Sequence, residues 1–426
     1  MPYIYSKLKS IIHTLSFQNN LWTLLSSGAS AVYSALLVLV TVRFIGVSEA
    51  GVVSLAIAIA GIFQVIVTFG IRPYQSTDIR QEFAFQTYFT LRVISTCVAT
   101  FFLVALVVFG RLFQQRTIIV LLVFLIFLID GFSDVYMGEF QQKGNMRIAG
   151  YMRVCAFSTA FLAYCITLII SKSIIMSLIA SGSLMLISYS SWIFILFYRR
   201  MFTTSYMQYS HRVIVKLLST GFPLFAFSLI NYYIYNLPKY ILGFIGSDED
   251  VAIISMLGMP MTLFVMLCNS FFMGAEMTKT ATIYSLGNVE NIVKRIKQQM
   301  KFCVALSAFY LVCNLLFGIP LLSWIYSTDF SQYKQVLILL ALSGALVPFY
   351  SCMGTVLIVL RMQKAQFINI AVIAVITGPI IWWLTSLFGI NGAAASSLIQ
   401  FFPYSISSYC IYLVSIKKKC KAKEKE

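Results

Sequence analysis

The chain has 426 residues, 60% of them hydrophobic and 15% aromatic, with 31 Lys or Arg against 14 Asp or Glu. A charged fraction of 11%, where soluble domains carry roughly 25%, and a mean hydropathy of +0.87 exclude a water-soluble globule and identify an integral membrane protein. No polar stretch between apolar segments reaches the ~50 residues of a small independent domain, so whatever the protein does is done in or at the face of a bilayer.

In chain order, Met1 to Asn20 lacks the uninterrupted apolar core of a cleavable signal peptide. It places Ile4, Leu8, Ile11, Ile12 and Leu15 at helical spacing, which predicts a helix lying on the membrane surface. A membrane helix needs about 20 mostly apolar residues. That window predicts twelve spans: Leu21 to Val42, Gly51 to Ile71, Phe83 to Phe109, Thr117 to Phe140, Ile148 to Ile170, Ile174 to Tyr198, Leu217 to Leu237, Val251 to Ala275, Phe302 to Tyr326, Val336 to Leu360, Phe367 to Phe388 and Ile390 to Ile416. Between the eighth and ninth, Leu286, Val289, Ile292, Val293 and Ile296 beside Lys294, Arg295 and Lys297 read as a second surface anchor. The acidic run Asp248, Glu249, Asp250 falls in a short loop, where three adjacent acids are solvated rather than catalytic.

An even number of spans puts both termini on one side. With the N-terminus inside, 24 of the 31 basic residues fall on the cytoplasmic side, 6 on the other, and Arg92 lies within the third span. This positive-inside bias predicts cytoplasmic termini and accounts for most of the net charge of +17, so no nucleic-acid partner is needed. Eight of the nine cysteines, Cys97 to Cys410, sit singly in apolar runs and Cys420 lies in the lysine tail, without a CxxC pair. Two histidines, His13 and His211, are too few for a histidine metal site. HExxH, GxSxG and GxxxxGK[ST] are absent, so no metal, no cofactor and no ATP hydrolysis are expected.

The halves repeat. Leu24 to Gly28 reads LLSSG and Leu217 to Gly221 reads LLSTG; then FIGVSE, Phe44 to Glu49, is matched by FIGSDE, Phe244 to Glu249, at offsets of 193 and 200 residues. Six spans separate the copies, so both enter the membrane in the same direction and the repeat is parallel, with its axis along the membrane normal. The expected fold is therefore all-α, with twelve transmembrane helices in two six-helix bundles. The expected organisation is an N-terminal bundle at 1–198, a basic cytoplasmic linker at 199–216, a C-terminal bundle at 217–416 and a basic cytoplasmic tail at 417–426. Seven of the nine prolines fall in the second half, which concentrates bending there.

Three stretches carry a resemblance: RFIGVSEAGVVSLA (Arg43 to Ala56), GEFQQKGNMRIAGY (Gly138 to Tyr151) and GFPLF (Gly221 to Phe225). With twelve spans, the chain resembles the polysaccharide-exporter branch of the multidrug/oligosaccharidyl-lipid/polysaccharide flippase superfamily, and within it the O-antigen repeat-unit flippases of Gram-negative bacteria. The resemblance implies alternating access in the bacterial inner membrane, moving an undecaprenyl-diphosphate-linked oligosaccharide from the inner to the outer leaflet. It implies membrane lipid and the polymerase and chain-length regulator of the same pathway as partners. Arg43 and Lys239, at the outer ends of the first and seventh spans, would line the central cleft and bind substrate; otherwise they are snorkelling anchors.

Charges at depth are expensive, roughly 2.5 to 3.5 kcal/mol each even on insertion scales. The spans hold five: Arg92, Asp130, Asp134, Glu139 and Arg153. Counting at ~1.5 Å per residue brings Arg92 and Asp130 to similar depth, so Arg92 is expected either to pair with Asp130 or to reach the diphosphate. Asp130 and Asp134 share a helix face and are the coupling candidates, Asp134 because no cation is in evident reach. Glu139 points the other way, and Arg153 is its expected structural partner. Two other functions compete: a cation-coupled multidrug exporter, which would favour an acid in the first span where none occurs, and a membrane polysaccharide polymerase or ligase, which would need a large outer loop.

Overall fold

The computed structural model describes residues 21–22, 25–26, 28–77, 82–109, 114–143, 145–198, 210–245, 247–285 and 289–423. The surface helix expected over Met1 to Asn20, residues 199–209 of the linker and tail residues 424–426 lie outside the described residues. Among the described residues every regular element is helical. In order they are α1 (Gly28–Phe44), α2 (Val47–Thr68), α3 (Arg72–Thr77), α4 (Phe85–Phe109), α5 (Gln114–Gln142), α6 (Met146–Ser171), α7 (Ile174–Tyr198), α8 (His211–Ile245), α9 (Asp248–Leu257), α10 (Met259–Phe271), a π-helical turn (Phe272–Glu276), α11 (Met277–Ser285), α12 (Val289–Tyr326), α13 (Lys334–Ala345), α14 (Val347–Val359) and α15 (Gln363–Lys423).

Nine helical segments among the described residues are long and apolar enough to cross a bilayer. The pair α9 and α10, bent by 47°, makes one more crossing, and α1 is a shorter apolar helix. Gly389, at φ 54° and ψ −129°, splits α15 in two; this left-handed φ is open to glycine and costly for other residues. Together these bring the described helices to the twelve crossings predicted from hydropathy.

Local chemistry sets the boundaries. Gly46 turns the chain between α1 and α2 at φ 145°, and the matched FIGSDE segment ends α8 and begins α9, so the repeat marks the same turn in both halves. Ser247 caps α9, its side chain accepting from the Asp250 amide, and Asp248, Glu249 and Asp250 form the first turn. The acidic run is thus a helix start rather than a loop, favoured by the N-terminal dipole. Proline bends the second half as expected. Pro260 opens α10 just after the bend at Gly258, and Pro348 opens α14 just after the break at Leu346.

The chain divides into two compact units, one of Met1–Ser34 with Phe63–Phe225, the other of Ala35–Ile62 with Ala226–Glu426. In the first, α6 and α7 pack through small residues, which let helix backbones approach closely in a membrane. Ala149, Ala156 and Ala160 on α6 and Ser177, Ser181 and Gly182 on α7 are buried. Ser181 donates to the Ala160 carbonyl at 2.9 Å and shares a 2.7 Å hydrogen bond with Tyr33. Trp22, Tyr151 and Trp192 form a chain of rings.

The second unit has an aromatic-rich core around Phe264, Tyr310, Tyr350, Phe401 and Tyr404. Ile292 and Ile296 are 2% and 1% exposed within it. The stretch read as a second surface anchor is therefore the beginning of α12, and its apolar face packs on protein instead of lipid. Amphipathic spacing alone does not distinguish these two partners.

Candidate functional site

Three arginines and two aspartates, from α3, α4, α5 and α6, meet inside the first unit. Arg92 lies seven residues into α4, Arg153 seven into α6 and Asp134 eight from the end of α5, about 10 to 12 Å in from those helix ends at ~1.5 Å per residue. Arg153 grips Asp130 with both arms of its guanidinium, Nε to Oδ1 at 3.0 Å and Nη2 to Oδ2 at 2.7 Å. The Tyr189 hydroxyl donates to Asp130 at 2.9 Å and the Gln64 amide at 3.1 Å. Asp134 accepts from Arg72 at 2.6 Å and from Arg92 at 3.3 Å. Arg92 and Ser95 also donate, each at 2.7 Å, to the Val67 carbonyl. Val67 lies in the last turn of α2, where carbonyls have no intrahelical partner and the dipole favours a cation.

This arrangement corrects three pairings read from the sequence. Arg92 pairs with Asp134, not Asp130, because Asp134 lies one turn nearer the helix end and level with it. Arg153 pairs with Asp130, not Glu139: in the antiparallel α5–α6 hairpin it lies opposite residue 135 and reaches inward. Glu139 takes Lys143 on its own helix at 2.6 Å. Asp134, expected to lack a cation, has two. Arg72 was overlooked as a site residue since α3 is only six residues long, too short for a span window. The cluster has one more cation than anions, and Nε of Arg92, buried, has no hydrogen-bond partner among the described residues.

The remaining candidates lie in the second unit. Arg43 is exposed, yet its fork is engaged: Nε donates to the Ile325 carbonyl at 2.8 Å and Nη2 to the Trp324 carbonyl at 3.0 Å, capping the C-terminal end of α12. Lys239, on α8, is partly buried within a span and makes no ion pair or hydrogen bond among the described residues.

A fourth group was not found from sequence. Glu276, just past the end of α10 and 6% exposed, accepts from Arg295, from Gln299 at 3.1 Å and from Lys279 at 3.2 Å. Burial would raise its carboxyl, but the hydrogen bonds from Gln299 and Lys279 and the charges of Arg295 and Lys279 outweigh burial and hold it below the ordinary glutamate value. Its sequence signal was an acid directly after an apolar span and within reach of a basic stretch. No group of His, Cys, Asp and Glu suited to a metal occurs among the described residues.

The solved structures similar to this chain are transporters. An inward-facing multidrug resistance MATE family transporter of the MOP superfamily superposes with a TM-score of 0.72 at 14% identity, covering 92% of this chain and 96% of that one. A eukaryotic MATE transporter gives 0.68 at 14% identity, covering 96% and 99%. A Vibrio cholerae MATE transporter gives 0.65 at 13%, covering 97% and 98%. These identities show the fold alone. None of the curated protein sequences compared with the chain matches it. The sequence profile of a family described as polysaccharide biosynthesis protein matches residues 16–277, more than half of the chain, and the protein belongs to that family.

Proposed function

We propose that the protein is a flippase that moves undecaprenyl-diphosphate-linked O-antigen repeat units from the cytoplasmic to the periplasmic leaflet of the bacterial inner membrane by alternating access. Family and fold are those of polysaccharide biosynthesis and of MOP transporters. The observation that carries the finer reading is Lys239. A cation at a span position costs roughly 2.5 to 3.5 kcal/mol, and this one has no counter-ion among the described residues. A diphosphate head group supplies one. The surplus cation of the first unit acts in the same sense, and an inside-negative potential favours outward movement of an anion by about 2.3 kcal/mol per charge per 100 mV. In this reading the sequence halves 1–198 and 217–416 are the moving bundles, both termini are cytoplasmic, and the polymerase and chain-length regulator receive the product.

The MATE-like fold supports a second reading, a cation-coupled multidrug exporter, equally well. Cells lacking the protein separate the two. Lipid-linked repeat units accumulating in the inner leaflet support the flippase. Unchanged lipid-linked units with heightened drug sensitivity support the exporter, and single units accumulating in the outer leaflet point to a polymerase.

A further inference from the structure

Within the second unit, Ala35–Ile62 is joined to helices of the second sequence half by a continuous seam. Arg43 donates to the Ile325 and Trp324 carbonyls at 2.8 and 3.0 Å. Ser54 and Ser255 share a hydrogen bond of 2.6 Å, and the Tyr240 hydroxyl donates to the Ala58 carbonyl at 2.7 Å. Glycines let the backbones touch. Gly51 lies against the Asp248 carbonyl and Gly61 against the Tyr232 hydroxyl, and a Cβ at Gly243 would lie 2.7 Å from Leu55.

Two properties distinguish this seam. Ser54 and Ser255 are 201 residues apart, while FIGVSE and FIGSDE are 200 apart. The hydrogen bond therefore joins near-equivalent positions of the repeat, and a residue that meets its own equivalent lies at the axis relating the copies. The seam also contains no ion pair among its described residues. It is closed by neutral hydrogen bonds and close backbone contact, which are individually weak in a membrane and part without stranding a buried charge. The charged cluster of the first unit is the opposite case.

We propose that this seam is the outer gate of the transport cycle, closed in this structure, and that Arg43 is its latch, a positioning residue rather than a substrate ligand. The inference rests on the transporter reading above. Gating is carried by separation of α1 and α2 from α8, α9 and the end of α12.

Two measurements test it. Nitroxides on Ser48→Cys and Glu249→Cys, both exposed positions, report the seam in proteoliposomes by pulsed dipolar spectroscopy whatever the substrate. A second, longer distance is expected, its share raised by Gly51→Leu and by Arg43→Gln. A single short distance in all three proteins overturns the gate. In the second measurement, Ser54→Cys with Ser255→Cys is oxidised in native membranes, with a protease site at 199–209 showing whether the halves stay joined. Joined protein should transport lipid-linked oligosaccharide about tenfold or more slowly and recover on reduction, while each single variant is unaffected. Joined protein that transports normally, or halves that never join, overturns the gate. A parent protein that opens by spectroscopy but moves no lipid-linked oligosaccharide overturns the flippase reading instead.

Discussion

Arg153 and Asp130 are bound by two near-parallel N–H···O contacts, 3.0 and 2.7 Å, across the α5–α6 hairpin. Forked pairs of this kind fix orientation as well as charge, and this one is completed by Tyr189 and Gln64. Arg153→Ala leaves a carboxylate that is 1% exposed with neutral donors only. A loss on the order of 3 to 5 kcal/mol is expected, read as lower membrane level and earlier thermal unfolding in detergent. Arg153→Lys, which keeps the charge without the fork, should fall between.

Asp134 behaves differently from a proton carrier. Held by Arg72 and Arg92, it is the counter-ion of two guanidiniums, so Asp134→Asn should lower protein level and leave the pH dependence of the remaining transport unchanged. Adding Arg72→Gln removes the surplus cation and should recover part of the level. A pH-independent Asp134→Asn transporter at full level would restore the coupling role.

For Lys239 the signs of stability and function oppose each other. Lys239→Gln removes an uncompensated cation from a span and should keep or raise membrane level, while transport of lipid-linked oligosaccharide falls by about tenfold or more, the weight of one charge-assisted contact of roughly 1.5 to 3 kcal/mol. Full transport by the Gln variant would remove Lys239 from the substrate path.

Glu276 predicts an acid response. Its carboxyl is held below the ordinary value, so its contribution to stability is complete above the unfolded value, near 4.5, and fades as pH falls through the lower folded value. Glu276→Gln should therefore unfold earlier at neutral pH and show a shallower loss below pH 4.5 than the parent. Parallel curves for the two proteins would place the acid response elsewhere.

Topology has its own test: a periplasm-active reporter enzyme fused after Lys419 should be inactive, because the basic bias puts the tail inside.

Hydropathy and the FIG repeat made the helices and their turns legible, since both are properties of consecutive residues. Even the proline breaks at 260 and 348 follow from where the ring removes an N–H. The partners of the buried charges were less legible. Depth counted along a helix gave the right neighbourhood for Arg92, Asp130, Asp134 and Arg153, but choosing among them required a turn's worth of precision. Arg72 entered through a six-residue helix that no span window registers. The packed start of α12 shows the same limit, because a face of Ile292 and Ile296 is equally suited to lipid and to a protein core.

The length of α12 gives the second unit a mechanical property. Its 38 residues reach about 57 Å, nearly twice the ~30 Å hydrocarbon core. Arg295 on its first turns is tied to Glu276, and the carbonyls of Trp324 and Ile325 at its far end receive Arg43. Between these ends the helix runs unbroken, with Pro320 set near the outer one. It can thus act as a pushrod: tilting the charged inner end displaces the outer carbonyls, with the proline as the joint where the stroke is turned.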